Sequence, residues 1–438
     1  MTSRTGDIRF NIEKAYHTDH KVQNLAHFIN VDLLMQIHRM MDKWKAVGVD
    51  EVTKDMYEKN LDENLKKLVQ RMKDGTYRPK PSRRVYIPKD GSSKMRPLGI
   101  SSYEDKLVEN AIAKILTAIY EPKFYNCSYG FRPNRNCHMA VREIIETVQY
   151  RYTNFVVEAD IRSFFDTVDH DYLMKMLEHD IADRKFLNLI WRFLKAGIME
   201  QGKYLDKEMG TPQGNGASPI LANIYLHYVL DNWFDVIVQR QCRGRCYLVR
   251  YADDFLCAFE NEYEAKVFRV RLEERFSKYG LSLAEEKTRM LEFGRNAASD
   301  RKLRGEGKPE TFDFLGFTFY CSMDRNKRFF RCKVKTCKKR FRSKARKLYL
   351  WIKDNRTLPL QELFKRLNRK LKGHYQYYGV TDNAKGIREY RNIAMRSLYK
   401  WLNRRSQKRS YTWNTFYDGL LKTFPLAEPK ICVCLFNR

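Results

Sequence analysis

The sequence predicts an α+β fold: a small mixed sheet carrying aspartates, followed by a helical, strongly basic segment. Three observations predict it. Tyr247–Phe259 is two apolar, aromatic-rich runs around Asp253 and Asp254. Such runs favour strands, and the short polar break between them reads as a hairpin. Phe155-Val156-Val157-Glu158-Ala159-Asp160 reads as a buried strand ending in a third aspartate. Composition then shifts after Tyr320, and thirteen of the twenty-three residues from Arg325 to Lys347 are Lys or Arg, with no acid among them.

Bulk composition narrows the function classes. The 438 residues carry 83 Lys and Arg against 53 Asp and Glu, a formal net charge of +30. That field attracts a polyanion at long range. With 43% hydrophobic residues the chain can build cores, which excludes a disordered tail protein. Its length allows two or three domains. No run approaches the ~20 apolar residues of a spanning helix, and the N-terminus lacks a secretory apolar segment, so an intracellular protein with no membrane partner is expected. None of the ten cysteines forms a Cys-x-x-Cys pair, which suits reduced thiols. Cys242 and Cys246 lack a second ligand pair, and no zinc site is expected there.

Residues 24–72 read as helical around a turn at Gly48-Val49-Asp50, within an N-terminal extension of residues 1–80. Residues 73–81 are a loop by their Gly and Pro content. Two short strands follow, Arg83–Lys89 and Lys94–Ile100, around Asp90-Gly91-Ser92. This basic hairpin either closes over a triphosphate or is simply exposed. Glu104–Tyr120 has helical periodicity. Ser128–His138 puts Arg132 and Arg135 in a turn-prone stretch ahead of a helix over 138–150, an arrangement suited to phosphate or template contact. Asp166 and Asp169 read as local capping groups, Asp169 for the helix that follows it. Met209–Pro219 holds three Gly with Gln213 and Ser218, which lets backbone approach a base pair, and a helix over 220–239 follows it. Further helices are expected over 261–279, 340–355, 360–372 and 384–405. A flexible loop is expected over 294–310, a strand over 312–320 and an aromatic loop over 373–379. In the basic segment, Lys333, Lys335, Lys338, Lys339 and Arg340 lie near Phe329, Phe330 and Phe341. A solvated helix mixes signs, so a single-sign run beside aromatics favours RNA contact.

Those parts suit nucleotidyl transfer. Two Mg²⁺ ions ~3.5–4 Å apart, with Mn²⁺ as a possible substitute, would clamp an attacking 3′-hydroxyl and a leaving pyrophosphate. Asp160 and Asp253 are the candidate bridging ligands, with Asp254 a less central third carboxylate. Lys89 and Arg96 would bind triphosphate oxygens, and Lys287 would approach the pyrophosphate. The competing reading of Asp253-Asp254 alone is a solvated turn.

From about Val49 to Ile431 these residues resemble a bacterial or organellar group II intron reverse transcriptase/maturase. Arg83–Lys89 with Arg96-Pro97-Leu98-Gly99-Ile100 resembles the family's fingers motifs. Tyr129–Arg135 resembles its next block, and Asp160–Asp166 its first metal motif. Thr211-Pro212-Gln213-Gly214 and Ser218–Leu226 resemble the template-and-dNTP motif. Tyr251–Asp254 resembles the second metal motif, Phe314–Phe317 the primer-side motif, and Leu371–Gly379 the maturase domain.

The resemblance implies a right-hand polymerase. Fingers and palm would fill residues 81–320, and a helical thumb/maturase domain that binds RNA would fill 321–438. It implies an RNA-directed DNA polymerase that binds group II intron RNA to assist splicing and retromobility. Its partners would be that RNA, an RNA template with a DNA primer, and dNTPs. The Ile161 carbonyl would help hold metal, Gln213 would sit at the dNTP, and Phe164 would stack under the sugar and reject a 2′-hydroxyl. That last role disfavours an RNA-synthesising polymerase. The compartment implied is bacterial cytoplasm or nucleoid, or an organelle matrix, and monomer and dimer both stay open.

Two departures stand out. Asn215-Gly216-Ala217 replaces the family's second Gly and its bulky apolar residue before Ser-Pro, which bears on template handling. Nothing matches the endonuclease extension, so target cleavage would be dispensable or come from elsewhere. A host-recruited relative used in defence or repair, and a non-catalytic splicing chaperone, are the alternative functions.

Overall fold

The apolar runs fold into three small sheets with helices packed on them. The computed structural model describes residues 21–88, 95–200, 203–205, 209–210, 214–406 and 410–436. The strands among them are β1 (Ser82–Pro88), β2 (Met95–Ile100), β3 (Phe155–Asp160), β4 (Ile198–Glu200), β5 (Lys203–Leu205), β6 (Cys246–Tyr251), β7 (Asp254–Phe259), β8 (Arg289–Glu292), β9 (Phe312–Phe314), β10 (Phe317–Met323) and β11 (Phe330–Thr336).

The first sheet has the order β2-β1-β4-β5. Its β1–β2 hairpin is the expected basic finger, antiparallel with Ile87 opposite Arg96. The β1–β4 pair is parallel. Helix α1 (Val31–Met40) starts where the Asn30 side chain accepts from Leu33 N–H, and it buries Leu33, Leu34 and Ile37. Helix α2 (Leu61–Lys73) and the long α3 (Tyr103–Tyr120) complete this N-terminal body.

The second sheet has the order β6-β7-β3-β8. Its pairs are antiparallel throughout. One face meets helix α8 (Glu262–Lys278) and the other meets helix α4 (Cys137–Tyr150). Phe255 and Phe259 pack on Phe276 and Phe268 of α8. Val156, Leu256, Ala258 and Leu291 share a core with Ala140, Val141 and Ile144 of α4. A sheet covered on both faces needs apolar residues at every position, and Phe255–Phe259 are accordingly all buried. Between α4 and α8 lie α5 (His170–Asp180), α6 (Arg184–Leu194) and α7 (Ser218–Leu226). Asp169 caps α5 by accepting from Asp171 N–H and Tyr172 N–H at 2.9 Å each, as its position before the helix indicated.

The third sheet, β11-β10-β9, leads into α9 (Lys338–Asp354), α10 (Leu360–Tyr378) and α11 (Ala384–Leu402). Three local expectations change here. The aromatic stretch 373–379 is not a loop, because α10 continues to Tyr378. His374 stacks on Tyr390 of α11, with ring centroids 3.6 Å apart, and the buried Tyr375 and Tyr378 hold these last turns in the core. The strand expected over 312–320 is a hairpin, broken by Leu315 (φ 49°) and Gly316 (φ 81°). The loop expected over 294–310 contains a short helix, Ala297–Leu303.

Candidate active site

Strand register brings two of the three aspartates together. Asp160, the last residue of β3, lies directly opposite Asp254, the first of β7. Residues opposite each other across antiparallel strands project to the same face, with Cβ atoms ~4.5–5.5 Å apart. Tyr251 pairs with Asp254, so Ala252 and Asp253 form a two-residue turn with Asp253 at its apex. Lys287 reaches the same place. Its short turn, Glu285–Lys287, follows Ala284, whose N–H donates to the Asp160 carbonyl at 2.8 Å, and its ammonium pairs with Asp160 Oδ2. Hydrogen bonding to Asp160 raises the Lys287 pKa above the ordinary lysine value against the opposing effect of burial. Asp160, Asp254, Lys287, Asp313 and Leu315 line one pocket of about 180 Å³.

These carboxylates are hard oxygen donors and none is fully buried, a set that suits Mg²⁺. Among the described residues, however, no group of three or more His, Cys, Asp or Glu is gathered closely enough to enclose a metal ion. Ile161 is buried and bridges Leu283, which carries the strand past Asp160.

Two glycines ahead of α7 lie flush against neighbouring backbone. Gly210 (φ 83°) lies flush against Phe165 and Asp166, and a Cβ there would meet the Phe165 carbonyl oxygen at 2.6 Å. Gly214 (φ 105°) lies equally close to Gly99 of β2, where a Cβ would meet that carbonyl oxygen at 2.8 Å. Only glycine tolerates both the backbone conformation and the approach. Arg96 is exposed on β2. Lys89 and Gln213 lie outside the described residues. Phe164 is 2% exposed and its ring packs on Phe165 and Tyr225, at 5.5 and 6.4 Å between centroids.

A family model described as reverse transcriptase (RNA-dependent DNA polymerase) matches residues 87–319, more than half of the chain. The chain belongs to the reverse transcriptase family. A second model, the group II intron maturase-specific domain, matches residues 338–416. The group II intron-encoded protein LtrA of Lactococcus lactis subsp. cremoris is 45% identical over 183 residues, covering 42% of this chain and 30% of LtrA. Protein YkfC of Escherichia coli K12 is 37% identical over 241 residues, covering 48% of this chain and 62% of YkfC. Nuclear intron maturase 1, mitochondrial, of Arabidopsis thaliana is 30% identical over 116 residues, covering 26% of this chain and 16% of that protein. The chain therefore spans less than two thirds of each relative's length. No helix among the described residues is long and apolar enough to cross a membrane.

Of the two arginines expected at RNA, Arg132 is taken up by internal ties. The Arg132 side chain is 3% exposed. Its guanidinium donates to both Glu121 carboxylate oxygens and to the carbonyls of Tyr125 and Ser128. No donor geometry remains for an RNA phosphate, so that reading of Arg132 is corrected. Arg135 is half-buried and donates to the Asn126 and Ser128 carbonyls. The cause is tertiary. Residues 127–129 run along β6, with Arg250 N–H donating to the Cys127 carbonyl and Tyr129 N–H to the Arg250 carbonyl, each at 2.8 Å.

The basic segment behaves differently. Along β11 the buried Cys332, Val334 and Thr336 alternate with Arg331, Lys333 and Lys335 on the opposite face. Lys335 lies over the Tyr320 ring at 5.2 Å. Lys338, Lys339 and Arg340, all exposed, then open α9, whose first turn holds no acid. Cations at a helix N-terminus oppose the macrodipole, so this placement suits an anionic ligand better than it suits the helix.

Glu109 was not visible as a site residue in the sequence. It is fully buried on α3 and accepts from Ser101 Oγ at 2.6 Å and from Gly216 N–H at 3.0 Å. It thus anchors the divergent Asn215-Gly216-Ala217 stretch. Burial pushes its carboxyl up to about 8, above the ordinary glutamate value of about 4.3 that the unfolded chain has. The folded state therefore holds this proton where the unfolded state has lost it. The stability this contributes is fully present below the unfolded pKa and is lost as pH rises through about 8. Glu109→Gln keeps the shape and removes the titration. From pH 5 to pH 9 its melting temperature should rise relative to wild type, by about 3 °C. A constant difference across that range would refute the assignment.

Proposed function

We propose that this protein is an RNA-directed DNA polymerase that also binds group II intron RNA as a maturase, assisting splicing and retromobility. The observation that carries the reading is the Asp160–Asp254 register beside the Asp253 turn. It holds carboxylates at one end of a rigid sheet, inside the segment that matches the reverse transcriptase model.

In this reading Asp160 and Asp253, with Asp254 and the Ile161 carbonyl, hold two divalent cations. Bound there, Mg²⁺ supplies activation of a primer 3′-hydroxyl and neutralises charge on the departing pyrophosphate. Lys89 and Arg96 bind triphosphate oxygens. Lys287 exchanges its contact with Asp160 for the leaving group. Gln213 takes part in binding the dNTP. Primer extension on an RNA template with Mg²⁺ and dNTPs tests the polymerase. Absence of extension, with intron RNA still bound, would favour the alternative of a non-catalytic splicing chaperone. Normal extension with no affinity for intron RNA would favour a host-recruited reverse transcriptase.

Phe164 serves as the floor under the sugar and the gate against a 2′-hydroxyl. Truncation to Ala would remove a buried ring at about 3–5 kcal/mol, so Phe164→Val is the better probe. It should raise the rNTP-to-dNTP incorporation ratio about tenfold, measured in paired single-nucleotide extensions. An unchanged ratio removes the gate role.

The β11–α9 face holds RNA phosphates. Replacing Lys333, Lys335, Lys338, Lys339 and Arg340 together by Gln should flatten the plot of log K against log salt by roughly 0.7 for each lost contact. Filter binding from 50 to 300 mM salt measures this. A parallel plot would eliminate the face as a binding surface.

A further inference from the structure

The turn that carries Asp253 rests on a buried charge. Arg250, on β6, is 0% exposed, and so is its partner Asp231. Arg250 Nε donates to Asp231 Oδ1 at 2.7 Å and Nη2 to Oδ2 at 2.5 Å. Its remaining nitrogen, Nη1, reaches two further oxygens, Asn223 Oδ1 at 2.9 Å and the Ala252 carbonyl at 3.0 Å. Asn223, on α7, donates in turn from Nδ2 to the Gly130 carbonyl at 2.8 Å. The network therefore ties the α7 region, the 127–130 segment and β6 to one backbone oxygen in the turn.

An ion pair withdrawn completely from water is a poor device for stability alone. Apolar side chains of similar volume often serve as well or better. What they cannot supply is a donor to the Ala252 carbonyl. That oxygen belongs to the peptide joining Ala252 to Asp253, so its hydrogen bond sets the orientation of the plane from which Asp253 projects. Ala252 also has φ 58°, at the first central position of a two-residue turn, where glycine is usual. An L residue is held there only by its surroundings.

We propose that Arg250 is a positioning residue for Asp253, its guanidinium fixed by Asp231 and Asn223 so that it orients the Ala252–Asp253 peptide and, through it, the metal-binding carboxylate. This rests on the reading of Asp253 as a metal ligand. Lysine cannot replace Arg250, because a single ammonium does not span the Asp231 carboxylate and the Ala252 carbonyl together.

The test uses the full chain in three variants. The apolar pair Arg250→Met/Asp231→Leu removes both charges at once. It should keep a cooperative melt near that of wild type while the Mg²⁺ concentration for half-maximal primer extension rises roughly 10- to 100-fold. KM for dNTP and affinity for RNA should stay within twofold of wild type. A folded double variant with the wild-type Mg²⁺ profile would overturn the proposal. Arg250→Lys is the second probe, for the case in which the pair does not fold. It should show the same Mg²⁺ shift, and a wild-type profile overturns the proposal equally. Asp253→Ala separates the two levels. If it extends primers normally, the ligand assignment beneath the proposal is wrong. If it is inactive while both Arg250 variants are normal, only the positioning role fails.

Discussion

Asp253→Ala and Asp160→Ala should each abolish DNA synthesis while leaving the fold and intron-RNA affinity close to wild type. Each removes a carboxylate that stabilises charge in the transition state, a loss of several kcal/mol, on the order of 1,000-fold in rate. The structural cost should be small. Asp253 occupies the apex of the turn, and Asp160 is only partly buried, with Lys287 at one oxygen. The two variants should differ in one respect. Asp160→Ala also removes the counter-charge of Lys287, so it should lower the Lys287 pKa toward the ordinary value, whereas Asp253→Ala should not. Single-turnover extension gives the rate, and filter binding gives the RNA affinity. Extension within tenfold of wild type in either variant would refute the metal assignment. The alternative of a solvated Asp-Asp turn predicts that outcome.

Gly130→Ala should cost about 100-fold in extension, although Gly130 carries no reactive group. A Cβ at Gly130 would stand 2.3 Å from the Ala252 nitrogen and 2.9 Å from the Tyr251 carbonyl carbon. Both contacts are backbone, so no side chain can swing aside. Either the 127–130 segment lifts from β6 or the aspartate turn moves, and the Asn223 bond to the Gly130 carbonyl resists the first. Overpacking of this kind costs about 1–3 kcal/mol in stability, which a chain of this size tolerates. The expected result is a folded protein with near-normal RNA affinity, a lower kcat and a raised Mg²⁺ requirement. A folded Gly130→Ala variant with normal kcat would show that the turn does not depend on this contact.

The elements with strong local signals were legible in the sequence. β3 lies where its apolar run ends at Asp160, and α3 and α8 fall within a residue or so of their periodic segments. The cap at Asp169 followed from residue type and position alone. Where the signal was long-range, it was misread. The Gly373–Gly379 stretch has a Gly at each end of its aromatic run and reads as a loop. Ring stacking between α10 and α11 makes its residues helical to Tyr378. Arg132 reads as a phosphate ligand because a guanidinium in a turn is equally suited to RNA and to carbonyls. Only the fold shows that Glu121, Tyr125 and Ser128 reach it first.

By itself the chain determined that three aspartates stand at the ends of strand-forming runs, and that a single-sign basic segment follows them. These are properties of neighbours in sequence: side-chain period, turn composition and charge. The tertiary structure alone decided which of these groups share a face. Register in β3–β7 sets Asp160 against Asp254, residues far apart in the chain. Burial decided the rest. Glu109, Asn223, Asp231 and Arg250 look like ordinary polar residues in the sequence. Excluded from water, each must find partners: Glu109 takes the backbone of the loop ahead of α7, Asn223 the Gly130 carbonyl, and Arg250, paired with Asp231, the turn that presents Asp253.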